Sequence, residues 1–304
     1  MVQAVTRKPR RKPDNYTFLG RYNYFVPGVA EMFILLALLL VGALFGNVVS
    51  FIFSLLLSSE AALEYGMLVA YPVMFIPPMM YAGIKSGKNS FFKDGVRVDS
   101  SHFQPVGGIG CAIAVILATL ALGFCSDAIS MVMPEMPDYL KELMESLTTG
   151  ELWIDLLSVS VFAPVFEEWL CRGMVLRGLL NNNVKPVWAI IISAAFFALI
   201  HMNPWQAVPA FLLGILFAYV YYRTGSLKLT MLMHCTNNTF AVICSHIPAL
   251  EDMESWMDVF TGKQFWLIFT GCLLLLCLFV YIFGKIPLKS KSGNSDKVPC
   301  MFSE

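Results

Sequence analysis

The sequence predicts an all-α fold: a polytopic membrane helix bundle of about eight transmembrane helices. Three observations lead there. The 304 residues are 57% hydrophobic and only 14% charged, against about 25% charged in soluble domains. Apolar runs approaching the roughly 20 residues needed to cross a bilayer recur along the chain. They cover about 28–57, 67–84, 106–125, 153–180, 186–202, 205–222, 228–245 and 264–284. Finally, threading eight spans through these runs separates the charges of the connections by sign.

The N-terminal 1–26 stretch is polar and basic, with Arg7, Lys8, Arg10, Arg11 and Lys12. It lacks the short apolar segment and small-residue cleavage site of a signal peptide, so the first span is expected to direct insertion. With eight spans, the N-terminus, the C-terminus and the 85–105, 181–185 and 223–228 turns share one side. That side takes 18 of the 21 Lys and Arg; only Lys141 and Lys263 face the other way, and Arg172 lies within a span. Basic loops stay in the cytoplasm. The expected organisation is a cytoplasmic basic tail over 1–26, a transmembrane domain over 27–285 and a cytoplasmic tail over 286–304. Residues 137–147 carry apolar positions at helical spacing and are expected to form an amphipathic helix on the outer membrane surface.

The net charge is zero, so no global field points to a nucleic-acid partner. The eight cysteines form no CxxC pair and no zinc-finger spacing; they are expected to pack as small apolar residues within helices. His102 and His246 fall in loops and are expected to be solvated.

Polar residues inside spans cost about 2.5–3.5 kcal/mol each on insertion scales and are functional by default. Here they concentrate in one quarter of the chain. The fourth span holds Glu167, Glu168 and Arg172; the fifth ends at His201; the seventh contains His234, Asn237 and Asn238. Glu168 and Arg172 are spaced i,i+4 with the acid first, the favourable order for an ion pair. Glu167 lies about 100° around the helix from Glu168 and is left to face another neighbour. Depth is a second test. Glu167 lies about 20 Å from the cytoplasmic turn and His201 about 22 Å, at the helical rise, so both reach one level. His234 lies only about 9 Å into its span and reaches that level only if its helix starts deeper.

A carboxylate beside an imidazole can orient and deprotonate a water. A second imidazole and an amide can donate to the oxyanion of a tetrahedral intermediate. That inventory suits peptide hydrolysis by activated water and offers no serine or cysteine nucleophile with an assigned base. HExxH, GxSxG and Gly-Asp are all absent from the sequence. A transporter also places polar groups at mid-membrane, and a non-catalytic membrane scaffold also buries them; both are alternatives that the residues leave open.

The patterns Glu167-Glu168-x-x-x-Arg172, Phe197-x-x-x-His201 and His234-x-x-x-Asn238, in that order on successive spans, resemble the CPBP family. This family comprises CAAX prenyl endopeptidases of the Rce1 type and bacterial relatives, some linked to bacteriocin processing or self-immunity. The resemblance covers about 153–245, the expected catalytic core. It implies an intramembrane endopeptidase with Glu167 as general base, His201 as its partner, and His234 and Asn238 as oxyanion donors. Glu168 and Arg172 are then supporting groups. The resemblance also raises a metal: Glu167, His201 and His234 are three possible ligands of a catalytic zinc with an open position. The expected partners are a peptide or membrane-protein substrate and membrane lipid. The expected location is the plasma membrane of a bacterium or the endoplasmic reticulum of a eukaryote.

Overall fold

The computed structural model describes residues 18–141, 150–250, 253 and 255–288. Most of the tails, and residues 142–147 of the expected amphipathic helix, lie outside the described residues. Only 137–141 of that segment is seen, and 138–141 is helical. Among the described residues there is no strand.

Eight long helices stand where the eight apolar runs predict them. They are α1 (Val29–Leu56), α2 (Ser59–Asn89), α3 (Gly108–Ser130), α4 (152–181), α5 (Pro186–Ile200), α6 (Pro204–Thr224), α7 (Leu227–Ser245) and α8 (Gly262–Gly284). Five of these, α1, α2, α3, α6 and α8, are long and apolar enough to cross a membrane. The chain is an integral membrane protein. The three helices that fall short are α4 and α7, which carry most of the polar residues, and α5, which has only 15 residues.

Each helix has a local cause. Gly28 opens α1, its N–H capped by the Glu31 carboxylate at 2.7 Å. Asn203 and Ser226 cap α6 and α7 through their side chains. Pro186 and Pro204 sit at first helical positions, where a missing N–H costs nothing. Gly225 ends α6 in the left-handed region, φ 65°.

α4 is the centre of the bundle. It packs against α2, α5, α6 and α7. α1 lies on α2, and their backbones touch: a Cβ on Gly42 would stand 1.9 Å from the Met74 carbonyl oxygen. In lipid such close packing replaces the hydrophobic drive between helices. α3 packs on α6, α7 and α8 and completes the far side.

α4 is not a uniform α-helix. Its segments Leu152–Leu157, Ala163–Glu168 and Arg177–Asn181 are α-helical, whereas Ser158–Phe162 and Trp169–Leu176 are π-helical. The first π segment has a covalent cause. Ala163 N–H donates to the Ser158 carbonyl five residues back. Pro164, next in line, has no N–H for Val159. The orphaned Val159 carbonyl accepts instead from Asn238 Nδ2 of α7 at 2.8 Å. The two π segments flank Glu167 and Glu168, a placement common at functional sites.

Arg177 departs from expectation. It counts among the basic residues near the cytoplasmic turn, yet its side chain is wholly buried. Its guanidinium donates to the carbonyls of Gly173 and Val96, each at 2.7 Å, and to those of Tyr22 and Phe25. Four backbone acceptors replace the water it loses, as a buried charge requires.

Candidate active site

Glu167, His201, His234 and Asn238, drawn from α4, the end of α5, and α7, line one cavity of about 780 Å³. The walls are apolar, with Leu39 from α1, Met67 and Phe75 from α2, and Leu213 from α6. Glu167 and His234 meet at its inner end. Glu168 and Arg172 stand behind them, both 0% exposed.

The buried pair is as the i,i+4 spacing predicts: Arg172 Nη1 to Glu168 Oε1 is 2.7 Å. Arg172 Nη2 also donates to the Gly214 carbonyl at 3.0 Å. Its guanidinium carbon stands 4.5 Å from the Phe197 ring centroid and 5.3 Å from that of Phe217. Phe197 also meets His234 edge-to-face at 5.3 Å, and Phe217 lies tilted to it at 5.8 Å. The same two rings thus contact both a cation and an imidazole.

Glu168 does more than hold Arg172. Its Oε1 lies 3.1 Å from His234 Nδ1. A carboxylate facing that nitrogen fixes Nδ1 as the donor. His234 Nε2 then points toward Glu167, 4.0 Å from Oε2. The histidine level with Glu167 by counting was His201, but the one that approaches it is His234. The cause is the start of α7: Leu227 is fully buried, and Asp99 Oδ1 accepts from the Leu227 N–H at 2.8 Å and from the Lys228 N–H at 3.3 Å. α7 therefore begins inside the bundle, and His234 sits deeper than its distance from the helix end suggests.

His201, at the C-terminus of α5, has Nδ1 2.7 Å from the Phe197 carbonyl. A carbonyl only accepts, so Nδ1 carries the proton, and in the neutral ring Nε2 is left as an acceptor. Asn238 spends one N–H on Val159; its Oδ1 accepts from Asn237 at 3.2 Å.

One group escapes sequence reasoning. The Tyr71 hydroxyl, from α2, donates to Glu167 Oε1 in a short hydrogen bond. Glu167 Oε2 is buried and has no hydrogen-bond partner. Asn237 also lines the cavity. No local motif marks Tyr71, because its partner is 96 residues away.

Among the described residues no group of three or more His, Cys, Asp or Glu is arranged to hold an ion, so the three residues considered for zinc are not gathered as one site. His246, expected to be solvated, is instead part of the structure. Its Nε2 is 3.2 Å from the Gly150 carbonyl and 3.5 Å from Asp155 Oδ2, at the outer ends of α7 and α4.

Residues 149–240 match the family described as type II CAAX prenyl endopeptidase Rce1-like. Over 109 residues the chain is 28% identical to the membrane peptidase YdiL of Bacillus subtilis (strain 168), a stretch covering 35% of this chain and 44% of YdiL. Over 91 residues it is 30% identical to the membrane-embedded CAAX protease MroQ of Staphylococcus aureus (strain USA300), covering 28% of this chain and 36% of MroQ. The chain thus spans less than half the length of either relative. No solved structure matches it. The match covers α4 to α7 up to Phe240, the helices that carry Glu167, His201, His234 and Asn238; residues 149–240 are thus similar to an Rce1-like domain.

Proposed function

We propose that this protein is an intramembrane endopeptidase in which Glu167 activates a water for attack on a peptide carbonyl. The observation that carries this reading is the Glu167 carboxylate itself. One oxygen is held by Tyr71, and the other, Oε2, is buried, unpartnered and 4.0 Å from His234 Nε2 at the inner end of the cavity. A buried carboxylate oxygen without a partner is costly, and a water or a substrate group there would relieve that cost.

In this mechanism the water sits between Glu167 Oε2 and His201 Nε2, both acceptors for its protons. Glu167 takes one proton as the water oxygen bonds to the carbonyl carbon. The resulting oxyanion is met by the second Asn238 N–H and by His234. Because His234 Nδ1–H is spent on Glu168, it donates through Nε2 only as the imidazolium. The C–N bond then breaks, and the proton held by Glu167 passes to the leaving amine. Glu168 and Arg172 act through His234 by fixing its ring.

The names of YdiL and MroQ, a membrane peptidase and a membrane-embedded CAAX protease, support a peptide or membrane-protein substrate. Both come from bacteria, which favours the plasma membrane as the location. The test is peptide cleavage by purified protein in detergent, with and without a chelator. Glu167→Gln keeps size and hydrogen bonding but cannot readily take the proton. It is expected to lower kcat by about 10²–10⁴-fold while the melting temperature is retained. Near-wild-type turnover by this variant would remove Glu167 from the mechanism.

A further inference from the structure

The cavity is closed at one end of the bundle and open at the other. Toward the basic loops, every residue of α4 from Trp169 to Leu176 is buried. Arg177 then binds the Tyr22, Phe25 and Val96 carbonyls and ties the chain before α1 and the α2–α3 connection across that end. Phe25 and Val98, 1% and 0% exposed, are packed into this seal. Gly178 is part of it too, since a Cβ there would lie 2.5 Å from the Pro27 carbonyl oxygen.

The opposite rim is different. Glu64, Gly150, Asp155, Met202, Gln206 and Ala241 line the cavity there, near the α1–α2, α3–α4, α5–α6 and α7–α8 connections. Met202 is 80% exposed and the neighbouring Leu199 60%. Leu40 of α1, half exposed, carries the opening sideways toward lipid. This rim is also the end poor in basic residues. Lys85, Lys88, Lys93, Arg97, Lys185 and Lys228 stand at the sealed end, whereas Lys141 and Lys263 stand at the open one. Basic loops mark the cytoplasmic side.

We propose that the cavity opens away from the cytoplasm, so that the substrate is a membrane-anchored peptide whose cleaved segment enters from the outer half of the bilayer. This rests on the endopeptidase reading for what happens at Glu167, but the direction of access rests on the seal and the charges alone. The reach is set by α4. Asp155 at the rim is 12 residues before Glu167, about 18 Å at the helical rise. On that side the distance takes about five residues of extended chain; Met202 and Ala241 stand within a turn of His201 and Asn238, so the cavity is shallower there. The segment that fits is therefore an apolar stretch, threaded in extended form past Leu39, Met67 and Leu213 to the polar end.

The test uses the full-length protein in right-side-out and inside-out membrane vesicles. Three variants are treated with a charged, membrane-impermeant thiosulfonate: Ala241→Cys inside the cavity mouth, Met202→Cys on the rim, and Lys93→Cys at the sealed end. The adduct is read by mass spectrometry on the peptide carrying each substitution, with wild type in parallel. Gain of the adduct by A241C and M202C in right-side-out vesicles, and by K93C only in inside-out vesicles, is the expected result. The reverse pattern overturns the proposal. So does an A241C that reacts from neither side while M202C reacts, because the rim would then not lead into the cavity. Cleavage in detergent does not depend on orientation, so a wild type that cleaves no tested peptide there would sink the endopeptidase reading and leave this result standing, and the converse also holds.

Discussion

Tyr71 and Glu167 are the pair on which the proposed chemistry turns. The hydroxyl anchors one carboxylate oxygen, which leaves Oε2 aimed at His234. A hydrogen bond to a charged group is worth about 1.5–3 kcal/mol, or roughly 10–100-fold in rate if it acts only in the transition state. Tyr71→Phe keeps the ring, which packs near Phe75 at 5.6 Å. It is expected to lower kcat by that factor with KM unchanged, measured by steady-state peptide cleavage; a rise in KM alone would make Tyr71 a substrate contact. The other residues of the site were unevenly legible. The Glu168–Arg172 pair follows from i,i+4 spacing, and its 2.7 Å contact agrees. The further bond from Glu168 to His234 does not follow, because it joins residues 66 apart on different helices. Tyr71 fails for the same reason: helical periodicity describes one helix at a time.

At the scale of the helix, α4 shows how a covalent constraint becomes geometry. Pro164 was visible in the middle of the fourth span, and with it a missing donor. Its consequence was not legible, since a π-helical stretch leaves no mark in composition. Pro164 orphans the Val159 carbonyl; Asn238 Nδ2 satisfies it, and this ties α7 to α4 two turns from Glu167. Asn238 is thus a brace as well as a proposed oxyanion donor. Asn238→Ala is expected to cost about 1–3 kcal/mol of stability by leaving that carbonyl bare. Pro164→Ala restores an N–H beside it. In that background the same change should cost less, with a coupling of at least about 0.5 kcal/mol. A double-mutant cycle of denaturation in detergent measures it. Equal cost in both backgrounds would mean that Asn238 contributes nothing through Val159.

For the molecule as a whole, the number and order of helices were legible because apolar runs of spanning length are a strong signal. All eight fall where the runs predict. What the runs could not give is how the outer ends are held, and His246 is one such tie. It joins the end of α7 to the start of α4 through the Gly150 carbonyl and Asp155, while its Nδ1 lies 2.9 Å from the Val242 carbonyl. Burial disfavours its charged form. The hydrogen bonds to Val242 and Gly150 and the Asp155 carboxylate outweigh that, and its pKa is raised. Glu64 of α2 adds a second carboxylate beside Asp155. A raised folded-state pKa means that the protonated ring stabilises the fold. That contribution is complete below the unfolded value of about 6.5 and is lost as pH rises through the folded value. The melting temperature in detergent should therefore fall as pH rises above about 6.5. In His246→Gln, which keeps a hydrogen-bonding group but no titration, that fall should shrink. An unchanged pH dependence in the variant would show that the tie does not depend on the charge of His246.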